Sequence, residues 1–258
     1  MRRYLQAIYN APISALPLTT LKELGWEGIR MDLQLSSPEI VKAALWNADQ
    51  AGVETLSIVR LEQLPWFPAG SHVELRNEPD LEFPNTAAYA DEMRAAADLA
   101  DAYGLRLWVG AISNPNKRGL AYFDAILPTL RDLPSTVGFT WHRYTADSGP
   151  GESFAAPHQG FDDRAAEVRH ITRFIGDRPW AISEFGYHTA ARKSCFRSKR
   201  WTDDQVATLV SQEFEFWTEM GASFATLYQV TDGPTDTRLD RYGICRFDGT
   251  LKPVADQR

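Results

Sequence analysis

The chain has 258 residues, of which 44% are hydrophobic and 24% are charged, and its formal net charge is −7. This composition is typical of a soluble globular protein with a large core. The negative charge argues against nucleic acid or an anionic membrane as a partner, because both bind basic surfaces. No apolar run approaches the roughly 20 residues that cross a bilayer, and the first residues, MRRYLQAIYNAP, show no signal-peptide pattern.

Eight short β-type runs alternate with helical patterns along the chain. The predicted strands span residues 4–10, 28–35, 53–60, 72–77, 105–112, 138–144, 179–185 and 223–230. This alternation is typical of βαβ units and a parallel sheet. We therefore predict a single α/β domain over residues 1–258, folded as a compact (β/α)8 TIM barrel. An open doubly wound sheet is the alternative, but the first β-to-α turn lacks the GxGxxG pattern.

Four segments between these runs carry the end signals of helices. Segments 36–52 and 85–104 begin with Ser or Asn and stop at Gly52 and Gly104. Segments 161–177 and 202–221 place acidic residues in the first turn, where the helix dipole favours them. The third βα unit, around residues 61–70, is short and interrupted by proline. Because the chain ends soon after the eighth run, we expect a missing or vestigial last helix.

Polar residues occupy the carboxyl ends of the predicted strands, where the active sites of this barrel lie. They are Tyr9, Asn10, Arg30, Asp32, Arg60, Asn77, Glu78, Ser113, Asn114, His142, Tyr144, Glu184, Tyr228 and Gln229. Glu78 closes the fourth strand in RNEPD, and Glu184 closes the seventh in ISEFG. Two carboxylates at one barrel mouth are suited to cleave a glycosidic bond, one as acid and one as nucleophile. Their mutual repulsion separates their pKa values.

The words RNEPD, WHRY and ISEFG occur in this order along the chain. They resemble the retaining glycoside hydrolases of the large clan with (β/α)8 barrels and two catalytic glutamates, which includes families 5 and 39. The resemblance covers nearly the whole chain and implies that Glu78 is the acid/base and Glu184 the nucleophile. It also implies a β-linked oligo- or polysaccharide substrate, a double-displacement mechanism, and neither a cofactor nor a metal. We expect cleavage within the glycan rather than at its ends.

The same resemblance suggests which residues bind substrate. Arg30, Asn77, His142 and Tyr144 match the clan's positions around the reacting sugar. Family 5 enzymes usually have a histidine where this chain has Arg60, and a tryptophan floor where it has Tyr228 and Gln229. We expect Tyr228, Trp141 and Trp201 to contact substrate, since sugars stack on aromatic rings. Trp66 and Tyr187 are further candidates for stacking.

Two later features leave alternatives open. The segment ARKSCFRSKRW, residues 191–201, is dense in cations and either faces an anionic group on the glycan or is a solvated basic loop. Cys195 and Cys245 are either two unrelated thiols or one disulfide that joins two late loops.

Two other functions fit the same barrel. A metal-dependent sugar isomerase or lyase would bind a divalent ion through Glu78, Glu184, His142 and Asp32, although the sequence has no HxH or HExxH motif. A carbohydrate-binding barrel without catalysis would bind a glycan and leave it intact. A serine hydrolase is not supported, because GxSxG is absent from the sequence.

Overall fold

The computed structural model describes residues 1–7, 17–83, 85–144, 157, 160–189, 201–233 and 241–256. Their eight strands are all parallel, pair in chain order and close β8 onto β1. The strands are β1 (Arg2–Ala7), β2 (Gly28–Asp32), β3 (Glu54–Val59), β4 (His72–Leu75), β5 (Arg106–Ile112), β6 (Gly138–His142), β7 (Trp180–Phe185) and β8 (Phe224–Leu227). The predicted (β/α)8 barrel is therefore confirmed.

Seven α-helices are present in the described ranges. They are α1 (Leu18–Glu23), α2 (Pro38–Ala51), α3 (Pro79–Glu82), α4 (Thr86–Tyr103), α5 (Lys117–Asp132), α6 (Arg164–Ile175) and α7 (Asp203–Glu219). The side chains of Ser37, Asn85, Asp163 and Thr202 cap α2, α4, α6 and α7 by accepting backbone N–H bonds. Such caps stabilise helix ends because the first N–H groups have no partner within the helix.

The links around the third and eighth strands are built differently. A 3₁₀ helix, Leu61–Trp66, connects β3 to β4. Among the described residues after β8, Pro253–Ala255 forms another 3₁₀ turn. Several strands end earlier than the sequence predicts, so Asn77 and Glu78 follow β4 instead of belonging to it. No helix in the described part of the chain has the length and apolar character of a membrane span.

Side chains that alternate along the strands form two separate layers. The outward ones pack against the helices in the main hydrophobic core, which includes Val73, Leu75, Phe139 and Trp141. At the amino end of the barrel, the inward ones form a small apolar cluster of Tyr4, Leu56, Trp108, Ala181 and Phe224. Further along the strands the interior becomes polar, with Gln6, Arg30, Glu74 and Thr140 all buried. The inward-facing strand residues thus form a polar interior that extends to the barrel mouth.

An irregularity in β5 shapes one side of this mouth. The pairing between β5 and β6 shifts register between Val109 and Ile112, where Gly110 and Ala111 both have positive φ. A side chain at Gly110 would collide with the backbone oxygen of Thr140. The displaced Ala111 carbonyl accepts the backbone N–H of Glu78 at 3.1 Å. This bulge therefore anchors the segment that follows β4.

Candidate active site

Arg30 lies at the centre of the polar interior and is fully buried. Its Nε and Nη2 approach one oxygen of Glu74, at 2.6 and 2.5 Å. Its Nη1 donates to Gln6 at 2.9 Å and to Glu184 at 2.5 Å, and its Nη2 donates to Asn77 at 2.8 Å. A guanidinium has five N–H groups, and these five contacts supply one acceptor for each. The guanidinium is therefore held in one orientation.

Glu184 is held on both of its carboxylate oxygens. Oε1 accepts from Arg30, and Oε2 accepts the Tyr144 hydroxyl at 2.9 Å. Glu184 lies on β7 directly opposite His142 of β6 in the strand register, and it is 8% exposed. Hydrogen bonds from donors on both oxygens fix the orientation of a carboxylate. The Glu184 carboxylate is therefore held in place at the barrel mouth.

Glu78 reaches the same mouth from the turn after β4. Its backbone is left-handed, with φ of 45° and ψ of 52°, and it is the N-cap residue of the short helix α3 that Pro79 begins. Arg76 also has a positive φ, of 65°. Non-glycine residues adopt this conformation at a cost of about 1 kcal/mol or more. The turn thus adopts an unfavourable backbone conformation that directs Asn77 and Glu78 into the mouth.

His142 stands between the two glutamates. Its Nδ1 is 3.1 Å from Glu78 Oε1 and 3.5 Å from Glu184 Oε2. Its Nε2 lies 3.5 Å from Arg30 Nη2. Because an ionised carboxylate only accepts hydrogen bonds, Nδ1 is the nitrogen that directs a proton toward Glu78. His142 therefore presents an N–H group to the carboxylates.

The surroundings shift the ionisation of two groups at the mouth. Burial alone would raise the pKa of Glu78, but the His142 hydrogen bond and charge, with Arg30 behind it, hold that pKa below its usual range. Burial raises the pKa of Tyr144 well above its ordinary value, and the Glu184 carboxylate and neighbouring tyrosines act in the same direction. Tyr144 therefore remains a hydrogen-bond donor well into the alkaline range.

An aromatic cluster borders Glu184 on the β8 side. The ring of Tyr242 lies 6.0 Å from Tyr144 and 5.5 Å from Tyr228, edge to face in both cases, and 5.4 Å from His188. The peptide bond that joins Tyr228 to Gln229 is cis. Tyr228, a predicted substrate contact, thus lies beside the mouth, where the Tyr242 ring packs between it and Tyr144. Tyr242 was not among the residues predicted from the sequence.

Trp141 does not belong to the site, and its predicted contact with substrate is wrong. It is 1% exposed and stacks on Trp180 with ring centroids 5.1 Å apart. It also packs near Phe139 in the layer between strands and helices. Because alternate strand residues face opposite sides, the inward position of His142 sends Trp141 outward.

Trp201 lies just before α7. It is half-buried, and its ring meets Tyr187 edge to face at 6.4 Å. It borders an open cavity of about 490 Å³, which polar side chains line; these include Thr189, Asp232, Arg241 and Lys252. The Tyr187 hydroxyl is turned inward to Glu213 at 2.6 Å. Trp66 packs partly buried against the main core. A role for Trp201 in substrate binding stays a prediction.

The remaining strand-end residues have mixed positions. Ser113 bonds the buried carboxylate of Asp80 through both its N–H and its hydroxyl, and Asn114 accepts the Tyr144 backbone N–H at 2.9 Å. Asp32 is exposed and Arg60 half-buried. Within the described residues, no group of three or more His, Cys, Asp or Glu is placed to hold a metal ion.

Some of the predictions fall outside the described residues. Tyr9, Asn10 and most of the basic segment, Arg192, Lys193, Cys195, Arg197, Lys199 and Arg200, are among them. Cys245 is a buried free thiol that contacts the Val230 carbonyl.

Two buried residues of the site escaped the sequence analysis. Glu74 and Gln6 both bind Arg30, and both are polar residues within otherwise apolar strands. A polar residue at an inward position of such a strand is the signal that could have found them. Gln6 and Arg30 are direct partners in the register of β1 and β2.

The fold is similar to that of several solved glycoside hydrolases. A family 39 glycoside hydrolase from Bacteroides cellulosilyticus WH2 matches with a TM-score of 0.73 at 15% identity; the match covers 98% of this chain and 61% of that one. The family 17 β-1,3-glucanosyltransferase of Rhizomucor miehei matches at 0.66 and 12% identity, over 97% and 96%. A β-glucosidase from Exiguobacterium marinum matches at 0.54 and 12% identity, over 92% and 84%.

This chain is thus about three-fifths the length of the first of these structures. No protein-family model matches it, and no curated protein matches it significantly. Likeness at these identities shows that the chain has the (β/α)8 fold of these enzymes.

Proposed function

We propose that this protein is a retaining glycoside hydrolase that cleaves β-linked bonds within an oligo- or polysaccharide. Glu184 is the nucleophile and Glu78 is the acid/base. The observation that carries the proposal is the shared contact of both carboxylates with one nitrogen of His142, at 3.1 and 3.5 Å. The match of the fold to solved glycoside hydrolases supports the same reaction class.

The spacing of the glutamates is compatible with retention of configuration. Since both contact His142 Nδ1, Glu78 Oε1 and Glu184 Oε2 are at most about 6.6 Å apart. Retaining enzymes hold their carboxyl groups about 5–5.5 Å apart, whereas inverting enzymes need about 6.5–9.5 Å to admit a water. The limit applies to one pair of carboxylate oxygens and leaves room for the retaining spacing.

The first step forms a bond between the enzyme and the sugar. A Glu184 oxygen attacks the anomeric carbon while the bond from that carbon to the leaving oxygen breaks. Glu78, protonated, gives its proton to the leaving oxygen. Arg30 and Tyr144 hold the Glu184 carboxylate during the attack. Asn77 lies beside the acid and is placed to bind a hydroxyl next to the reacting carbon.

The second step returns the enzyme to its starting state. Glu78, now ionised, takes a proton from a water molecule whose oxygen attacks the anomeric carbon, and the bond to Glu184 breaks. A sugar hydroxyl that replaces this water gives transfer instead of hydrolysis. The second matched fold belongs to a glucanosyltransferase, so assays of this protein should measure both products.

The test is release of reducing ends from β-linked glucans, mannans, xylans, galactans and uronate-containing glycans. We expect wild-type activity on at least one glycan, and a loss of about a thousandfold or more in Glu184→Gln. Glu213→Gln is a matched control, because Glu213 is also a buried carboxylate paired with an arginine, Arg164, but does not contact the Glu78–His142–Glu184 group. Chain-length analysis of the products separates internal from terminal cleavage.

Three outcomes would contradict the proposal. Equal activity of Glu184→Gln and wild type would place the nucleophile elsewhere. Binding of a glycan without turnover would indicate the carbohydrate-binding alternative. A first-formed reducing end of inverted configuration, seen by proton NMR, would exclude double displacement.

A further inference from the structure

Glu74 is the second carboxylate that shares Arg30 with Glu184. We propose that Glu74 is a positioning residue for the nucleophile and acts through the guanidinium of Arg30. This inference rests on the proposed function, in which Glu184 attacks the sugar. It concerns a residue that lies below the mouth and has no surface exposure of its own.

The contacts of Glu74 fix it within the barrel. Its Oε2 accepts from Arg30 Nε at 2.6 Å, and its Oε1 accepts the Thr140 hydroxyl at 2.6 Å. Thr140 in turn accepts the backbone N–H of Ala111 at 3.0 Å, in the β5 bulge. Glu74 is thus bound from β2 and β6 at once, and its position is set by the barrel framework instead of by the loops at the mouth.

The planar shape of the guanidinium converts this position into an orientation. Glu74 occupies the edge that Nε and Nη2 share. The remaining donors must then point the other way, with Nη1 toward Gln6 and Glu184 and one Nη2 N–H toward Asn77. A guanidinium binds carboxylates with a fixed fork geometry. If Glu74 no longer bound this edge, the guanidinium of Arg30 could rotate. It would then move with Glu184 instead of fixing its position.

The charge of Glu74 also matters. The charged and titratable groups around the Arg30–Glu184 pair are Glu74 from β4, Glu78 from the following turn, His142 from β6 and Tyr144 after it. Without the Glu74 charge, Glu184 is the one carboxylate that still pairs with Arg30. One negative charge near Glu184 and Glu78 is also lost. Both effects favour the negatively charged forms of the carboxylates at the mouth, so the pH–rate profile of such a variant should move toward acid.

The test compares wild type with Glu74→Gln, which keeps the shape of the side chain and removes its charge. We expect kcat to fall about ten- to a hundredfold with little change in KM, because the loss is in the alignment of the nucleophile. We expect both limbs of the pH–rate profile to move by about one pH unit toward acid. Glu74→Asp keeps the charge, so it should restore the position of both limbs while kcat remains lowered.

Glu213→Gln is again the control, because it removes a buried carboxylate from an arginine pair outside the site. It should lower stability and leave the pH limbs in place. An unmoved profile in Glu74→Gln, with only a loss of stability, would overturn the inference. If wild type cleaves no glycan, the proposed function fails, but carbon-13 NMR of Glu184 still decides whether Glu74 is coupled to it. An unchanged Glu184 pKa in folded Glu74→Gln would overturn the coupling.

Discussion

The Tyr144 hydroxyl donates a 2.9 Å hydrogen bond to Glu184 Oε2, the oxygen that does not contact Arg30. Tyr144→Phe leaves this oxygen without its donor. A hydrogen bond to a charged group contributes about 1.5–3 kcal/mol, so we expect kcat to fall about ten- to a hundredfold. Steady-state kinetics on the best glycan will measure this. An unchanged kcat would show that the hydroxyl does not position the nucleophile.

The alkaline behaviour of the same residue provides a separate check. Because the pKa of Tyr144 is raised well above its ordinary value, its ionisation will not reduce activity below about pH 10. Any loss of activity near neutral pH must then come from another group. The alkaline limb of Tyr144→Phe should coincide with that of wild type.

The pH dependence of catalysis should differ between free and substrate-bound enzyme. In the proposed mechanism Glu78 must be protonated to act as the acid, so activity should fall as pH rises through its pKa. In the free protein this pKa lies below its usual range, so we expect kcat/KM to decline within the acidic range. A bound sugar excludes water, and burial raises a carboxyl pKa, so the limb of kcat should lie at higher pH. Coincident limbs would contradict this expectation.

Trp141 and Tyr228 allow the core and the mouth to be tested separately. Trp141→Ala removes a large buried ring, so we expect it to lower the free energy of unfolding by about 3–5 kcal/mol. The milder Trp141→Phe should be less stable than wild type but have an unchanged KM. Tyr228→Ala should raise KM several-fold with a smaller effect on stability. The opposite pattern, measured by denaturant unfolding and kinetics, would restore Trp141 to the site.

His72, at the amino end of the barrel, should make stability depend on pH. Its Nδ1 accepts from Trp108 Nε1 at 3.1 Å. Burial, with Arg106 and Arg2 nearby, lowers its pKa from 6.5 to about 4. The folded protein therefore resists protonation of His72, whereas the unfolded chain accepts a proton below about pH 6.5.

The contribution of His72 is fully present above about pH 6.5 and is lost as pH falls toward 4. Solvent screening at this partly exposed site reduces it to about 1–2 kcal/mol. In His72→Gln the side-chain oxygen still accepts from Trp108, and the decline of stability over this range should be smaller by that amount. Urea unfolding at several pH values will measure it. Equal slopes for both proteins would show that His72 titrates normally.

The barrel could be predicted because each strand has its own local signal. Short β-branched and aromatic runs, separated by capped helices, leave few alternatives to parallel pairing. The central residues of the site could be predicted for the same reason, since parallel strands bring their carboxyl ends together. Glu78, His142 and Glu184 lie at or just after the ends of three strands that are distant in sequence, and both glutamates contact one nitrogen of His142.

The prediction for Trp141 was wrong because a strand residue and its neighbour in sequence face opposite sides of the sheet. Trp141 and His142 are adjacent in sequence, yet one packs under the helices and the other between the glutamates. Glu74 was overlooked because a buried carboxylate is unfavourable until its partner is known. That partner, Arg30, lies 44 residues earlier in the chain, and only the closed barrel brings them together.

The full set of contacts around Arg30 bears on how inhibitors of this protein should be designed. With all five of its N–H groups already engaged, this cation has none left for an incoming ligand. An acidic group added to a sugar mimic in order to reach Arg30 would have to displace Glu184 or Asn77, and would gain little affinity. In the proposed mechanism, a basic nitrogen in place of the anomeric carbon would instead face Glu78 and Glu184, whose carboxylate oxygens can each accept more than one hydrogen bond.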